Sequence, residues 1–190
     1  EAAKQLGTGF KLLLTPEYSV QPINVNVEHF VRRYYDHPNA MHRDGVFCLS
    51  SYGMGGGSYD EPLTKLKAEG KKVFFIPLSG VGRFEMADSL ESGLQLCQEP
   101  HVDGIWRFAC DDSPWGLINT NANLRRAAIR ANKLFMAGIA PYYNSANVRD
   151  MQGLRGYGGV WEGIIRDNAD WVEIVTWNDY NEDSNLMHYK

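Results

Sequence analysis

The chain has 190 residues, of which 44% are hydrophobic and 22% charged, and its formal net charge is −4. This length supports one domain with a substantial core, and the charge balance excludes a disordered polyelectrolyte and argues against nucleic-acid binding. No apolar run approaches the roughly 18 residues of a membrane span, and the opening EAAKQLGTGF lacks the pattern of a signal peptide. The three cysteines form no CxxC pair and no Cys/His spacing typical of zinc, so no metal site is expected.

Six short apolar runs along the chain predict buried β-strands. They are Lys11–Thr15, Val46–Ser50, Val73–Pro77, Gly104–Phe108, Met136–Ala140 and Val172–Trp177. Their first residues lie 35, 27, 31, 32 and 36 positions apart. Helix-like segments lie between them at Val27–Tyr35, Pro62–Glu69, Asn123–Leu134 and Val160–Asn168. Asp88 and Asn121 are expected as helix N-caps. A strand and a helix about every 30 residues predict a parallel sheet.

Two architectures use such a repeat, and the residues that follow the strands favour the barrel. A doubly wound dinucleotide-binding sheet would show GxGxxG after its first strand, where this chain has PEYSVQ. In a (β/α)8 barrel the active site is built from the residues after each strand. Here they are polar, acidic or aromatic: Glu17, Tyr18, Ser51, Tyr52, Ser79, Asp111, Asp112, Tyr142, Tyr143, Asn178 and Asp179. We therefore expect an α/β fold of the TIM-barrel type, incomplete in this chain. Residues 1–190 would form a single partial barrel domain with about six βα units, the first two strands missing.

The densest group of chemically useful side chains follows the last run. Asp179 and Glu182 are two carboxylates three residues apart. Glycoside hydrolysis needs such a pair, because one carboxyl protonates the leaving oxygen while the other activates water or attacks the anomeric carbon. Trp177 offers a face that can stack on a sugar ring, and Asn178 can bind a sugar hydroxyl. An acidic surface turn is the structural alternative for the same spacing.

Several segments resemble glycoside hydrolase family 71, the fungal-type α-1,3-glucanases or mutanases. The run WVEIVTWNDYNED is similar to VEIVTWNDYGESHY, which ends the barrel in that family. GFKLLLTPEYS resembles its GFKLFFSFDM, KKVFFIP its VYFVP, VDGIWRFACDDSPWG its DGLFSWxAWP, and LFMAGIAPYY its YMAGVSPWF. YYDHPNAMHRDGVFCLSSY resembles its YYxHPAQxxxDGKPxVSTF, so the likeness keeps its order and spacing across all six runs. On these segments the chain is identified as a member of the family.

The resemblance implies a barrel that hydrolyses α-1,3-glucan with inversion, without a metal or other cofactor, outside the cell or at the cell wall. Asp179 and Glu182 match the acidic pair of the family's last-strand motif and are the expected catalytic residues. The expected substrate-binding residues are Glu17, Tyr18, Tyr52, Trp106, Asp111, Tyr142, Trp177 and Asn178. Among these, Glu17 falls where the family has Asp, Trp106 matches the Trp of its DGLFSW run, and Tyr142 matches the aromatic of its SPWF run. The expected partner is an α-glucan polysaccharide, with no nucleic acid and no membrane span.

Two other functions stay open at this point. The family's GESHY is replaced here by NEDSN, so its Ser and His are not in place. A non-catalytic carbohydrate-binding barrel would explain that change as a loss of catalysis after Glu182. A barrel hydrolase acting on another polysaccharide would explain it as a change of substrate. Asp111 fits the sugar groove and an ordinary solvated loop equally well.

Overall fold

A computed structural model gives the fold of the chain. The structure describes residues 2–16, 23–52, 59–79, 89–109, 113–144, 148–149, 152–180 and 185–186. The helices are α1 (Ala2–Gln5), α2 (Ile23–Tyr34), α3 (Asp60–Ala68), α4 (Leu90–Cys97), α5 (Pro114–Ala131) and α6 (Gly153–Arg166). The strands are β1 (His42–Arg43), β2 (Val46–Ser51), β3 (Val73–Ser79), β4 (Gly104–Arg107), β5 (Leu134–Ile139), β6 (Tyr143–Asn144), β7 (Val148–Arg149) and β8 (Trp171–Ile174). Helices therefore alternate with strands along most of the chain.

The main sheet has six strands in the order β1-β2-β3-β4-β5-β8. All neighbours from β2 to β8 are parallel, with Leu49 opposite Phe75 and Ile105 opposite Phe135. Five of the six predicted runs thus form neighbouring parallel strands in sequence order, as expected. Within the described part of this sheet, the short strand β1 alone runs antiparallel, in a hairpin with β2 that the sequence did not predict. Strands β6 and β7 pair with each other in a separate antiparallel ribbon.

The first predicted strand, Lys11–Thr15, forms only isolated parallel bridges. Leu12 bridges to Ala40, and Leu14 bridges to Leu49 on β2. The Ser50 N–H donates to the carbonyl of Leu14 at 2.9 Å, so this segment extends the parallel sheet beside β2. Its direction agrees with the prediction, but its ladder is shorter than the apolar run suggests.

The sheet buries both of its faces, because helices cover one face and the curl of the sheet encloses the other. The helix-facing side carries Phe47, Leu49, Phe75, Ile105, Phe135 and Ala137 and packs against Val27, Val31, Leu63, Leu66, Leu96, Leu117, Leu124 and Val160. The concave inner side holds a second apolar cluster built from Ile76, Leu78, Trp106, Leu134 and Met136. Alternate residues of one strand therefore enter different layers, as Ile105 and Trp106 of β4 do.

Two helix starts differ from their predicted positions or partners. Helix α5 begins at Pro114, where the Ser113 hydroxyl accepts a hydrogen bond from the Gly116 N–H at 3.2 Å. Asn121 is consequently not an N-cap. It lies buried inside α5, and its Nδ2 donates to the carbonyl of Gly138 on β5 at 3.0 Å. The expected cap Asp88 lies outside the described residues, and Ser89 caps α4 in a capping box with Ser92.

Two further observations bear on what the fold can hold. Among the described residues, no helix is long and apolar enough to span a bilayer, and no group of three or more His, Cys, Asp or Glu side chains is arranged to bind a metal.

Cys48 and Cys97 are unpaired and buried, and burial raises the pKa of each thiol to about 11. Both thiols are thus protonated at neutral pH.

Candidate active site

The carboxyl ends of the parallel strands meet at one edge of the sheet, which we call the mouth. Parallel strands place the residues that follow them on the same side of the fold, and barrel enzymes bind substrate there. The described residues at or just beyond the mouth include Tyr52 after β2, Phe108 after β4, Tyr142 after β5 and Asp179 after β8. Glu17, Tyr18, Asp111 and Glu182, four of the predicted site residues, lie outside the described residues. They stay predictions.

Thr176 fixes the backbone of the segment that follows β8. Its hydroxyl accepts a hydrogen bond from the Asp179 N–H at 3.1 Å, and its carbonyl accepts one from the Leu186 N–H at 2.9 Å. Thr176 therefore binds the backbone at Asp179 and again at Leu186. Just before it, the Val175 N–H donates to the carbonyl of Ile139 at the end of β5, also at 2.9 Å. Asp179 is half-buried and stands on a backbone anchored to the sheet.

Two aromatic residues and one amide among the predicted binding residues are exposed beyond the strand ends. Trp177 has 66% of its surface exposed and Tyr142 has 41%, both high values for large aromatic residues. Asn178, between Trp177 and Asp179 in sequence, is also exposed. Exposed rings and an amide beside a carboxyl are the groups that bind sugars through stacking and hydrogen bonds. Their contact with a substrate stays a prediction.

A chain of rings leads from the core to the mouth. Tyr52 meets Phe108 edge to face with ring centroids 5.1 Å apart, and Phe108 meets Trp106 at 6.2 Å. Trp106 is only 1% exposed and packs within the inner cluster. Trp177 is exposed enough to stack on a sugar ring. Trp106 is too deeply buried for that, and its indole packs beneath the aromatic residues at the mouth. The sequence analysis did not single out Phe108, although its place after Trp106 in an apolar run was visible.

The serines at the strand ends are used by the sheet itself. The Ser50 hydroxyl donates to the carbonyl of Ile76 at 2.9 Å, and the Ser79 hydroxyl donates to the carbonyl of Trp106 at 2.7 Å. Ser51 accepts a hydrogen bond from the Leu78 N–H at 3.3 Å. All three serines are buried, and their hydroxyl groups link neighbouring strands of the sheet.

Glu173 is a carboxyl that the sequence analysis missed. It lies on β8 opposite Gly138, two residues beyond Trp171, which packs against the inner cluster. Alternation along a strand puts Glu173 on the same concave face as Trp171. Burial raises the pKa of Glu173 to about 7, because desolvation disfavours the ionised form. The signal in the sequence was an acidic residue at the centre of an otherwise apolar run, VEIVTW.

The fold belongs to a class shared with enzymes that cleave glycosidic bonds. The GH99 endo-alpha-mannosidase of Bacteroides thetaiotaomicron, in complex with BIS-TRIS-propane, superposes with a TM-score of 0.73 at 18% identity, over 94% of this chain and 60% of that one. A second structure of the same enzyme gives 0.71 at 20% identity, over 94% and 56%. The Cellulomonas fimi endo-beta-1,4-mannanase double mutant gives 0.56 at 11% identity, over 84% and 41%. At these identities the likeness concerns the fold alone.

Sequence comparison assigns the chain to a particular family, which the fold likeness alone does not do. Residues 1–189 match the profile of glycosyl hydrolase family 71, and the chain belongs to this family. Glucan endo-1,3-alpha-glucosidase agn1 of Schizosaccharomyces pombe is 23% identical over 198 aligned positions, which cover 96% of this chain and 44% of that protein. The chain thus spans less than half the length of this curated relative. The resemblance found in the sequence is confirmed.

Proposed function

We propose that this chain is the catalytic part of a glycoside hydrolase that cleaves α-1,3-glucan with inversion, using Asp179 and Glu182. Membership of glycosyl hydrolase family 71 supports the reaction class, and the 1,3-α-glucosidase activity for which the S. pombe relative is named supports the linkage. The observation that carries the proposal is the position of Asp179 at the mouth, on a backbone tied to Thr176. A catalytic carboxylate needs such a fixed place, because misplacement by about 1 Å costs a large part of the rate.

In the proposed mechanism Glu182 is the general acid and Asp179 the general base. Glu182 protonates the glycosidic oxygen as the bond to the anomeric carbon breaks, and Asp179 takes a proton from the water that attacks the opposite face of the sugar. An inverting enzyme keeps its two carboxyl groups roughly 6.5–9.5 Å apart to hold that water. Residues three apart on a turning segment can span this separation. The longer side chain of Glu182 favours its role as the acid.

The substrate-binding part of the proposal rests on the exposed groups at the mouth. Trp177 and Tyr142 would stack on glucose rings, Asn178 would bind a hydroxyl, and Tyr52 would border the cleft above Phe108. Glu17, Tyr18 and Asp111 would add polar contacts from the neighbouring strands, and Trp106 would hold the floor of the cleft. The barrel would be of the (β/α)8 type with about six of its units in residues 1–190. The substrate, a cell-wall polysaccharide, implies an extracellular or wall-associated enzyme.

The test is hydrolysis by the whole natural protein that contains this chain. We expect release of reducing sugars from α-1,3-glucan and little from α-1,4-glucan or mannan, with the product anomer inverted in NMR spectra taken during the reaction. Binding to α-1,3-glucan without hydrolysis would identify the non-catalytic alternative. Hydrolysis of α-1,4-glucan or mannan instead would identify the other-polysaccharide alternative.

A further inference from the structure

The inner face of the sheet contains two buried polar atoms without a hydrogen-bond partner among the described residues. They are Oε2 of Glu173 on β8 and Nε1 of Trp106 on β4. Native proteins pair the large majority of their buried polar atoms, and each exception needs an explanation. An unpaired buried donor or acceptor lowers the stability of the fold, and a charged one lowers it further. A polar molecule bound at this face would supply hydrogen-bond partners for such atoms.

Strand register puts Glu173 at the level nearest the mouth. Trp106 lies opposite Met136, and Met136 lies opposite Trp171, so these three side chains form one row of the inner face. Glu173 stands one row closer to the carboxyl ends of the strands, opposite Gly138. Glycine has no side chain, so β5 places none beside Glu173, and the main-chain carbonyl of Arg107 packs against that position of Gly138. Glu173 is half-buried as a whole residue, although its Oε2 is buried.

A structural role does not account for this carboxyl. Burial alone raises its pKa to about 7, so no described cation compensates the ionised form. A buried carboxyl without a partner lowers stability, and natural proteins accept such losses at functional sites. A sugar hydroxyl suits the carboxyl in either protonation state, since a hydroxyl both donates and accepts hydrogen bonds.

We propose that Glu173 is a third carboxyl of the site, which binds a hydroxyl of the sugar unit seated at the inner face and so contributes to substrate specificity. This inference rests on the proposed function. Glu173 is a binding residue here and takes no part in proton transfer, which belongs to Asp179 and Glu182. An ordered water below the sugar would satisfy the buried Trp106 N–H.

The experiment measures affinity and stability of the same variants. Binding of an α-1,3-linked glucose tetrasaccharide is measured by calorimetry in the whole protein carrying Asp179→Asn, which prevents cleavage. On that background Glu173→Met removes the polar group at nearly constant length, and Glu173→Gln keeps a hydrogen-bonding amide. Glu162→Met, on the exposed side of α6, is the matched control. We expect Glu173→Met to weaken binding about tenfold or more, with an unchanged or raised melting temperature at pH 8. Glu173→Gln and Glu162→Met should bind within about threefold of the parent.

The outcomes separate the inference from the function on which it rests. Unchanged binding in Glu173→Met overturns the inference alone. Loss of both binding and stability in Glu173→Met and Glu173→Gln alike also overturns it, because that is the pattern of a structural residue. If the wild-type protein neither binds nor cleaves α-1,3-glucan, the proposed function fails and the inference fails with it.

Discussion

The Asp179 backbone N–H donates a hydrogen bond to the Thr176 hydroxyl at 3.1 Å, and this bond holds a predicted catalytic carboxylate against the end of β8. A Ser or Thr side chain that accepts from the N–H three residues later stabilises a tight turn. The Thr176 carbonyl also accepts a hydrogen bond from the Leu186 N–H, so Thr176 bonds to the backbone at both Asp179 and Leu186. Thr176 is therefore a positioning residue in the proposed mechanism.

Replacing Thr176 by Val should lower kcat on α-1,3-glucan about tenfold with a small change in KM. Valine keeps the branched shape but removes the hydroxyl that orients Asp179, and small errors in the placement of a catalytic group reduce the rate. Thr176→Ser, which keeps the acceptor, should retain most of the activity. Initial rates over a range of substrate concentrations measure both constants. Equal losses in the Val and Ser variants would remove the positioning role.

Replacing the acidic pair tests the catalytic assignment directly. Asp179→Asn and Glu182→Gln are nearly isosteric, and each should reduce turnover by about a hundredfold or more, because general acid–base catalysis contributes that much. Binding of the α-1,3-glucan should persist in both variants. Asp44→Asn, an equivalent change at an exposed residue between β1 and β2, is the control and should leave turnover unchanged. Near-normal turnover in either active-site variant would exclude that residue and direct attention to Glu17 or Asp111.

The two tryptophans predicted to bind sugar should respond differently to alanine. Trp177 is 66% exposed, so Trp177→Ala should weaken binding of α-1,3-glucan roughly three- to tenfold and leave the melting temperature unchanged. Trp106 is 1% exposed, so Trp106→Ala should lower the free energy of unfolding by about 3–5 kcal/mol. Affinity gels and thermal melts measure the two effects. A destabilised Trp177→Ala or a fully stable Trp106→Ala would contradict this division.

The sequence predicted the parallel strands because their apolar runs are short, regularly spaced and buried on both faces. It missed the β1–β2 hairpin because the short strand His42–Arg43 is polar, although the Asp44–Gly45 turn, with both residues at positive φ, is a typical hairpin sequence. It placed the start of α5 too late, because a run of Asn and Thr residues conceals the cap at Ser113. The depth of Trp106 and the loss of water around Glu173 depend on curvature and register, which only the folded sheet defines.

Close packing between neighbouring strands gives a test of the curled sheet. A Cβ atom at Gly138 would collide with the carbonyl oxygen of Arg107, which is a backbone atom and cannot rotate away. Gly138→Ala should therefore lower the free energy of unfolding by about 3 kcal/mol or more. Gly158→Ala is the matched control, because Gly158 lies inside α6 with open space around its Cβ position. It should raise stability by up to about 1 kcal/mol. Urea unfolding measures both, and a stable Gly138→Ala variant would contradict the described packing.

The raised pKa of Glu173 predicts a pH-dependent loss of stability that Glu173→Gln should remove. The pKa is about 7 in the folded protein and 4.5 without burial, so between these values the folded state holds a proton that the unfolded state has released. Stability from this group is fully present below pH 4.5 and falls as the pH rises to about 7. A difference of two to three pKa units corresponds to about 3 kcal/mol.

The measurement compares wild-type protein with Glu173→Gln by urea unfolding from pH 4 to pH 8. The difference in free energy of unfolding between variant and wild type cancels the contributions of the other titrating groups. This difference should rise in favour of the variant across this range and level off above pH 7. Glu162→Gln, on the exposed side of α6, should follow the wild-type curve. Parallel curves for wild type and Glu173→Gln would mean that water or another group solvates this carboxyl. Addition of an α-1,3-linked oligosaccharide should reduce the difference, because a sugar hydroxyl would then supply the missing hydrogen bond.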